Sequence, residues 1–334
     1  MNFIDFIHKR ERENFSEYAF LTENTKGRDF ILKSDGMRTE FQRDRDRIIH
    51  SNSFRRLMHK TQVFLDPEGD HYRTRLTHTL EVTQIGRTLS RALRLNEDLT
   101  EAACLAHDLG HTPFGHAGEK VLNRLYSKGF KHNEQSLRVI EKLEKNFAGL
   151  NLTYEVRDAI LCHTGNVMPK TLEGKVLRIA DRIAYINHDI DDALRAKILK
   201  FEDLPGDLIK ILGKTGSERI NTMVNGIITE SDGVNDIIMR EDILEAMLKL
   251  REFLFVNVYD NNTAKSEEKK AEFMLEQMYD YFVKNYNLLI PVYEKIINSE
   301  GIERAVCDYI AGMTDRYSIS QYCGIFVPKT WKEE

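Results

Sequence analysis

Along most of the chain, apolar residues return every three or four positions, and alternating runs are scarce. That period predicts amphipathic helices and almost no strand, so the fold class expected is all-α. The pattern places helices at about 44–62, 75–94, 97–109, 114–127, 133–145, 153–163 and 174–200. Residues 1–35 read as a peripheral helix and loop, and Phe64–Tyr72, with Asp66-Pro67-Glu68-Gly69-Asp70, as a turn or short hairpin. Beyond Phe201, glycines at 206, 213, 216 and 233 punctuate shorter helices. Asn261–Lys270 reads as a polar loop, and the last helices fall at about 271–285, 288–298 and 301–311. The organisation expected is a peripheral segment over 1–40, a catalytic core over 41–200, and a helical cap or assembly region over 201–334.

Within this pattern, residues 104–119 stand out: three histidines and two carboxylates interrupt a run otherwise apolar or small. Burying such groups unpaired is costly, so they imply a ligand. His107 and Asp108 close a helix carrying Leu99, Ala103 and Ala106, with Gly110 as its stop. Upstream, His78 shares one helix face with Val82, Ile85 and Leu89, and Arg75 lies three residues before it. A lone inward histidine is ordinarily a hydrogen-bonded core residue, but a neighbouring arginine calls for an anion. Downstream, Asp181, Tyr185, His188 and Asp192 line one face of a helix whose other faces carry Ile183, Ile186 and Ile190, with Asp189 alongside. A solvated acidic stripe is the alternative there. Two imidazoles and two carboxylates, His78, His107, Asp108 and Asp181, suit one divalent cation with positions open to water and phosphate. Thr112-Pro113 reads as the start of a new helix, placing His116 and Glu119 on its first turns, with Glu119 able to hold His116 and raise its pKa.

Composition narrows the class. The 334 residues carry a net charge of −5, so there is no global footprint for nucleic acid. Cys104, Cys162, Cys307 and Cys323 are dispersed and form no metal knuckle or disulfide framework. The N-terminus lacks a secretory h-region and no run approaches a membrane span, so a cytoplasmic location is expected. The segment Arg43–Lys60 interleaves arginine with aspartate. It reads as an intrachain salt-bridge lattice, with a single-stranded DNA or nucleotide effector site as the alternative.

The series H…HD…D resembles the HD superfamily of metal-dependent phosphohydrolases. Within it the chain is similar to the deoxyguanosine triphosphate triphosphohydrolase family through residues 43–64, 73–82, AHDLGHTPFGHAGE (106–119), HNEQS (132–136), LRIADRIAYINHDIDDAL (177–194) and DYIAGMTDRY (308–317). The resemblance implies an all-α HD core and one divalent metal (Mg, Mn, Fe, Ni or Zn) on His78, His107, Asp108 and Asp181. It implies a catalytic pair in His116 and Glu119, and substrate contacts from Gln62, Arg75, His111, His132, Arg182, Tyr185 and Asp189. It further implies a homo-oligomer, tetramer or hexamer, and hydrolysis of a deoxynucleoside triphosphate at the α-phosphorus to deoxynucleoside and inorganic triphosphate. The competing readings are an HD hydrolase of monophosphates or cyclic nucleotides, and a nucleotide-sensing or DNA-binding protein without turnover.

Overall fold

The computed structural model describes residues 3–62, 72–259 and 262–329. Among them the regular elements are helices, and the only strand-like pairing is an isolated antiparallel bridge, Thr61 to Thr74. That bridge flanks the segment Phe64–Tyr72 expected to be a turn or short hairpin, of which residues 64–71 lie outside the described residues.

The chain runs α1 (Phe3–Asn14), α2 (Glu40–Ile49), α3 (Asn52–Arg56), α4 (Arg75–Ala92), α5 (Glu97–Ala106), α6 (Gly115–Leu125), α7 (His132–Arg138), a single turn α8 (Glu144–Phe147), α9 (Tyr154–Cys162) and α10 (Leu172–Arg195). It continues with α11 (Gly206–Leu212), α12 (Gly216–Ser231), α13 (Glu241–Leu254), α14 (Asn262–Lys284), α15 (Glu294–Glu300), α16 (Ile302–Ala311) and α17 (Asp315–Phe326).

Caps explain several boundaries that periodicity misplaced. The helix expected over 44–62 is two: Thr39 and Gln42 form a capping box that starts α2, and the Ser51 side chain accepts from Phe54 N to start α3. Thr112 is not the cap of α6; that place belongs to Phe114, in the left-handed region. Most of the expected loop 261–270 is the first part of α14, because Glu and Lys are good helix formers and Glu267 pairs with Lys270 at 2.6 Å, one turn along. The stretch expected over 288–298 opens on the end of a 3-10 turn, Tyr286–Leu289, and is α-helical only from Glu294, and α17 was not foreseen.

Helix α5 is the pivot. Leu99, Ala102, Ala103, Cys104, Leu105 and Ala106 are all buried. Ala103 and Cys104 face a cluster built from α4, α10, α12 and α13. Leu99, Ala102 and Leu105 face a second cluster with Phe41, Ile48 and Ile160. A Cβ on Gly86 would lie 3.0 Å from Cys104 Sγ, so the glycine lets α4 close on α5. A third cluster joins α6 to α14 and α16. The polar end of α5 therefore emerges where α4, α10 and α6 meet.

The basic segment is an intrachain lattice over much of its length. Arg43 meets Glu40 at 2.8 Å, Arg45 meets Asp46 at 2.9 Å, and Arg47 donates to Leu150 O at 3.1 Å. No helix among the described residues is long and apolar enough to cross a membrane.

Candidate metal and phosphate site

His107 follows the last residue of α5. Its Nδ1 donates to Cys104 O at 2.7 Å, which fixes the tautomer and leaves a lone pair on Nε2. That nitrogen is buried and has no hydrogen-bond partner. It lies 3.5 Å from Asp108 Oδ1 and 3.8 Å from Asp181 Oδ1. From α4, His78 brings Nε2 to 3.2 Å from Asp181 Oδ1, while its own Nδ1 is buried without a partner. Ligand atoms of His78, His107 and Asp108 all fall within 4.8 Å of one another.

This donor set fits a divalent first-row cation: the open lone pair of His107 Nε2 and the His78 imidazole, beside carboxylates, in a buried place. Burial alone would raise both carboxyls. The His78 hydrogen bond and the nearby imidazoles outweigh it at Asp181, whose pKa is held at about 2. His107, His111 and Arg75 do the same for Asp108, well below the usual range. Both are ionised at neutral pH, as ligation requires.

Arg75 is buried and donates from Nη1 to Asp108 Oδ2 at 2.8 Å. His111 is buried, with Nε2 3.6 Å from Asp108 Oδ1 and Nδ1 unpartnered. Burial and the Arg75 charge press its pKa well below the histidine range, so it is neutral. Asp108, His111 and His132 also approach one another closely enough to hold an ion. However, the His111 and His132 rings stack at 4.3 Å and 17°, so their in-plane lone pairs run parallel and do not converge.

Glu119 corrects the sequence expectation. It holds His132, accepting from the backbone N at 3.0 Å and lying 3.1 Å from Nδ1, whereas His116 Nδ1 is 4.0 Å away. His116 stands exposed at the cavity mouth. Its pKa is lowered, not raised, by the surrounding protein and by Arg75.

One cavity of about 610 Å³ brings these groups together. Every residue assigned from the sequence lines it except His107 and Glu119, which stand behind the wall. Besides Asp181, α10 contributes Arg182, Tyr185 and buried Asp189 to the lining, and Gln62 adds a buried, unpartnered Oε1. Arg251 reaches in from α13.

The sequence pattern did not single out His163, which also lines the cavity. It is buried, its Nδ1 lies 2.7 Å from Ile160 O, and its Nε2 lies 3.2 Å from His132 Nε2. A signal was present. Like His107, it follows directly on a helix, contacts the carbonyl three residues back and precedes a glycine, here Gly165. His188, on α10 and 6.1 Å from the His78 ring, is a further buried histidine with no assigned role, its pKa pressed to about 2 by burial and Arg73.

Comparison with known proteins agrees with this geometry. A family model described as "HD domain" matches residues 75–186, and one described as "Phosphohydrolase-associated domain" matches residues 237–323. A deoxyguanosinetriphosphate triphosphohydrolase-like protein of Caldanaerobacter subterraneus subsp. tengcongensis is 55% identical, over 99% of this chain and 97% of its own. One from Clostridium perfringens is 52% identical over 97% of each, and one from Clostridium tetani is 48% identical over 98% of each. Among solved structures, a phosphohydrolase from Bacteroides thetaiotaomicron superposes with a TM-score of 0.53 at 18% identity, covering 84% of this chain and 67% of its own. A hypothetical protein from Aquifex aeolicus gives 0.50 at 22% identity, covering 83% and 67%. These two speak to the fold alone.

Proposed function

Since the chain belongs to the deoxyguanosinetriphosphate triphosphohydrolase-like family of HD-domain phosphohydrolases, we propose that it hydrolyses deoxynucleoside triphosphates at the α-phosphorus, releasing the deoxynucleoside and inorganic triphosphate. The observation that carries the reading is the buried, unpartnered His107 Nε2, with His78 Nε2 and the ionised Asp108 and Asp181 around it, at a cavity that Arg75 and Arg182 also line.

His78, His107, Asp108 and Asp181 hold the cation. When bound, it supplies positive charge that polarises a phosphoryl oxygen and makes water more acidic. Arg75 and Arg182 meet the charge that spreads over phosphate oxygens as the Pα–O5′ bond breaks. Neutral His111 donates to the same oxygens, and the His132 ring stacked on it adds positive charge beside them. His116, neutral at pH 7 and reachable from solvent, takes a proton as the polyanion arrives and gives it to the leaving 5′-oxygen. The attacking water supplies the proton that restores His116. Tyr185 packs beneath C2′ of the sugar, and Asp189 accepts from the 3′-hydroxyl.

The test incubates purified protein with each deoxynucleoside triphosphate and Mn²⁺ or Mg²⁺, resolving products by ion-exchange chromatography. Deoxynucleoside plus triphosphate is the expected pair. Diphosphate or monophosphate nucleosides as first products would sink the α-attack reading, and cyclic nucleotides or monophosphates as the only substrates would sink the substrate class.

A further inference from the structure

The sequence singles out DYIAGMTDRY at 308–317, yet none of its residues lines the catalytic cavity. The structure gives Asp315 a specific task. It is 1% exposed, and its two carboxylate oxygens tie together segments far apart in sequence. Oδ1 accepts from Phe114 N at 3.0 Å. Oδ2 accepts from Thr61 N at 2.9 Å and from the Thr61 hydroxyl at 2.7 Å. Beside it, the buried Lys60 amino group donates to His111 O and to Ala311 O, the latter at 2.8 Å. Residues 60–61, 111–114 and 311–315 are thus knotted at one point behind the histidine loop.

The knot sits on a turn that needs holding. Phe114 has φ +59° and Gly115 has φ +54°, two successive left-handed residues. For phenylalanine that conformation costs about 1–2 kcal/mol and persists only where its surroundings impose it. The turn starts α6, and His116 is the next residue. The space is tight: a Cβ on Gly115 would lie 3.0 Å from Arg75 Nη2 and 3.3 Å from Gln62 O. The same turn therefore sets the gap between His116 and the arginine beside Asp108.

We infer that Asp315 is a positioning residue: by anchoring Phe114 N–H to Thr61, it holds the left-handed turn that aims His116 into the phosphate cavity. The catalytic part of this rests on the functional reading above; the structural part does not. Released from Asp315, Phe114 relaxes to ordinary φ, the first turn of α6 loosens, and His116 swings out over solvent, while His78, His107, Asp108 and Asp181 keep their places.

The experiment compares wild type with Asp315→Asn, which is isosteric but presents an NH₂ either to Phe114 N or to the Thr61 N–H and hydroxyl. Hydrogen–deuterium exchange by mass spectrometry should show peptides spanning 112–117 exchanging at least about tenfold faster, with those of α10 unchanged. Bound Mn²⁺ per chain should match wild type. With dGTP and Mn²⁺, kcat should fall at least about tenfold while KM stays within about threefold, because the arginines still bind phosphate. Thr61→Val, which removes one bond to Oδ2 and leaves Phe114 N paired, should give a smaller acceleration over the same peptides, and it decides the matter if Asp315→Asn does not fold. Unchanged exchange at 112–117 overturns the inference. So does kcat within twofold of wild type, or a kcat that falls only in step with lost metal. If wild type turns over no nucleotide, the functional reading fails, and exchange alone decides whether Asp315 holds the turn.

Discussion

The imidazoles of His132 and His163 meet nitrogen to nitrogen, with Nε2 3.2 Å from Nε2. His163 Nδ1, 2.7 Å from Ile160 O, donates there, so its Nε2 offers a lone pair. His132 Nδ1 lies 3.1 Å from both Glu119 oxygens. His132 therefore donates from both nitrogens and is a cation. Burial opposes that charge, but the Glu119 hydrogen bond outweighs it and raises the His132 pKa, while burial and His107 press His163 down to about 4.

His163→Leu removes the acceptor and should lower kcat by about 10- to 100-fold, the range expected when a buried charged donor loses its orienting partner. Bound metal should be unchanged, since His163 is not assigned as a ligand. His163→Gln, which keeps an acceptor oxygen, should recover part of the loss. Steady-state kinetics beside elemental analysis checks this, and wild-type kcat in the leucine variant would remove His163 from the site.

Loss of a metal ligand should behave differently. Asp108→Ala deletes a carboxylate that faces His107 and holds Arg75 at 2.8 Å. Metal content should drop to background and activity with it, while far-UV circular dichroism keeps its helical signature. Chelation of wild type should remove activity, and added Mn²⁺ should restore it. Stoichiometric metal in purified Asp108→Ala would mean that the ligand set is wrong.

How much of this was legible follows from what each element depends on. The helices carrying His78 and Asp181 could be read because one buried face repeats at helical spacing. His107-Asp108 could be read because an imidazole and a carboxylate closing an apolar helix are costly to bury without a ligand. The left-handed start of α6 could not, since Phe114 has no left-handed preference and is held there by Asp315, some 200 residues on. Glu119 was paired with the wrong histidine for a similar reason. Its sequence neighbour His116 is three residues away, but the fold brings His132 closer. The start of α14 was misread because a polar surface helix looks like a loop when only apolar spacing is followed.

Tyr185 lines the cavity one turn before Asp189, and Arg251 lines it too. If the ring lies under C2′, Tyr185→Ala makes room for a 2′-hydroxyl. The ratio of kcat/KM for GTP to that for dGTP should rise by about tenfold or more, the scale on which a pocket rejects an added hydroxyl by shape. An unchanged ratio, measured with both nucleotides under the same metal conditions, would move sugar selection elsewhere.

Away from the site, Glu173 makes a stability prediction with a definite sign. It is completely buried under the N-terminal segment. Its Oε1 accepts from Phe20 N at 2.9 Å and Asn96 N at 3.0 Å, while Oε2 has no partner. Burial, only partly offset by those two donors, raises its pKa above the ordinary 4.5. A carboxyl with a raised folded-state pKa binds its proton more tightly folded than unfolded. Its contribution is therefore greatest below pH 4.5 and is lost as pH climbs through the raised value. Glu173→Gln keeps an acceptor oxygen for both backbone donors and cannot ionise. Thermal melts should show the variant matching wild type near pH 4.5 and exceeding it at pH 8 by about 1–3 °C, roughly 1 kcal/mol for a chain of this size. Melting curves that stay parallel from pH 4.5 to 8 would mean that Glu173 is not charged against its surroundings, and that its unpartnered oxygen is solvated by a route the packing around Phe20 and Asn96 does not provide.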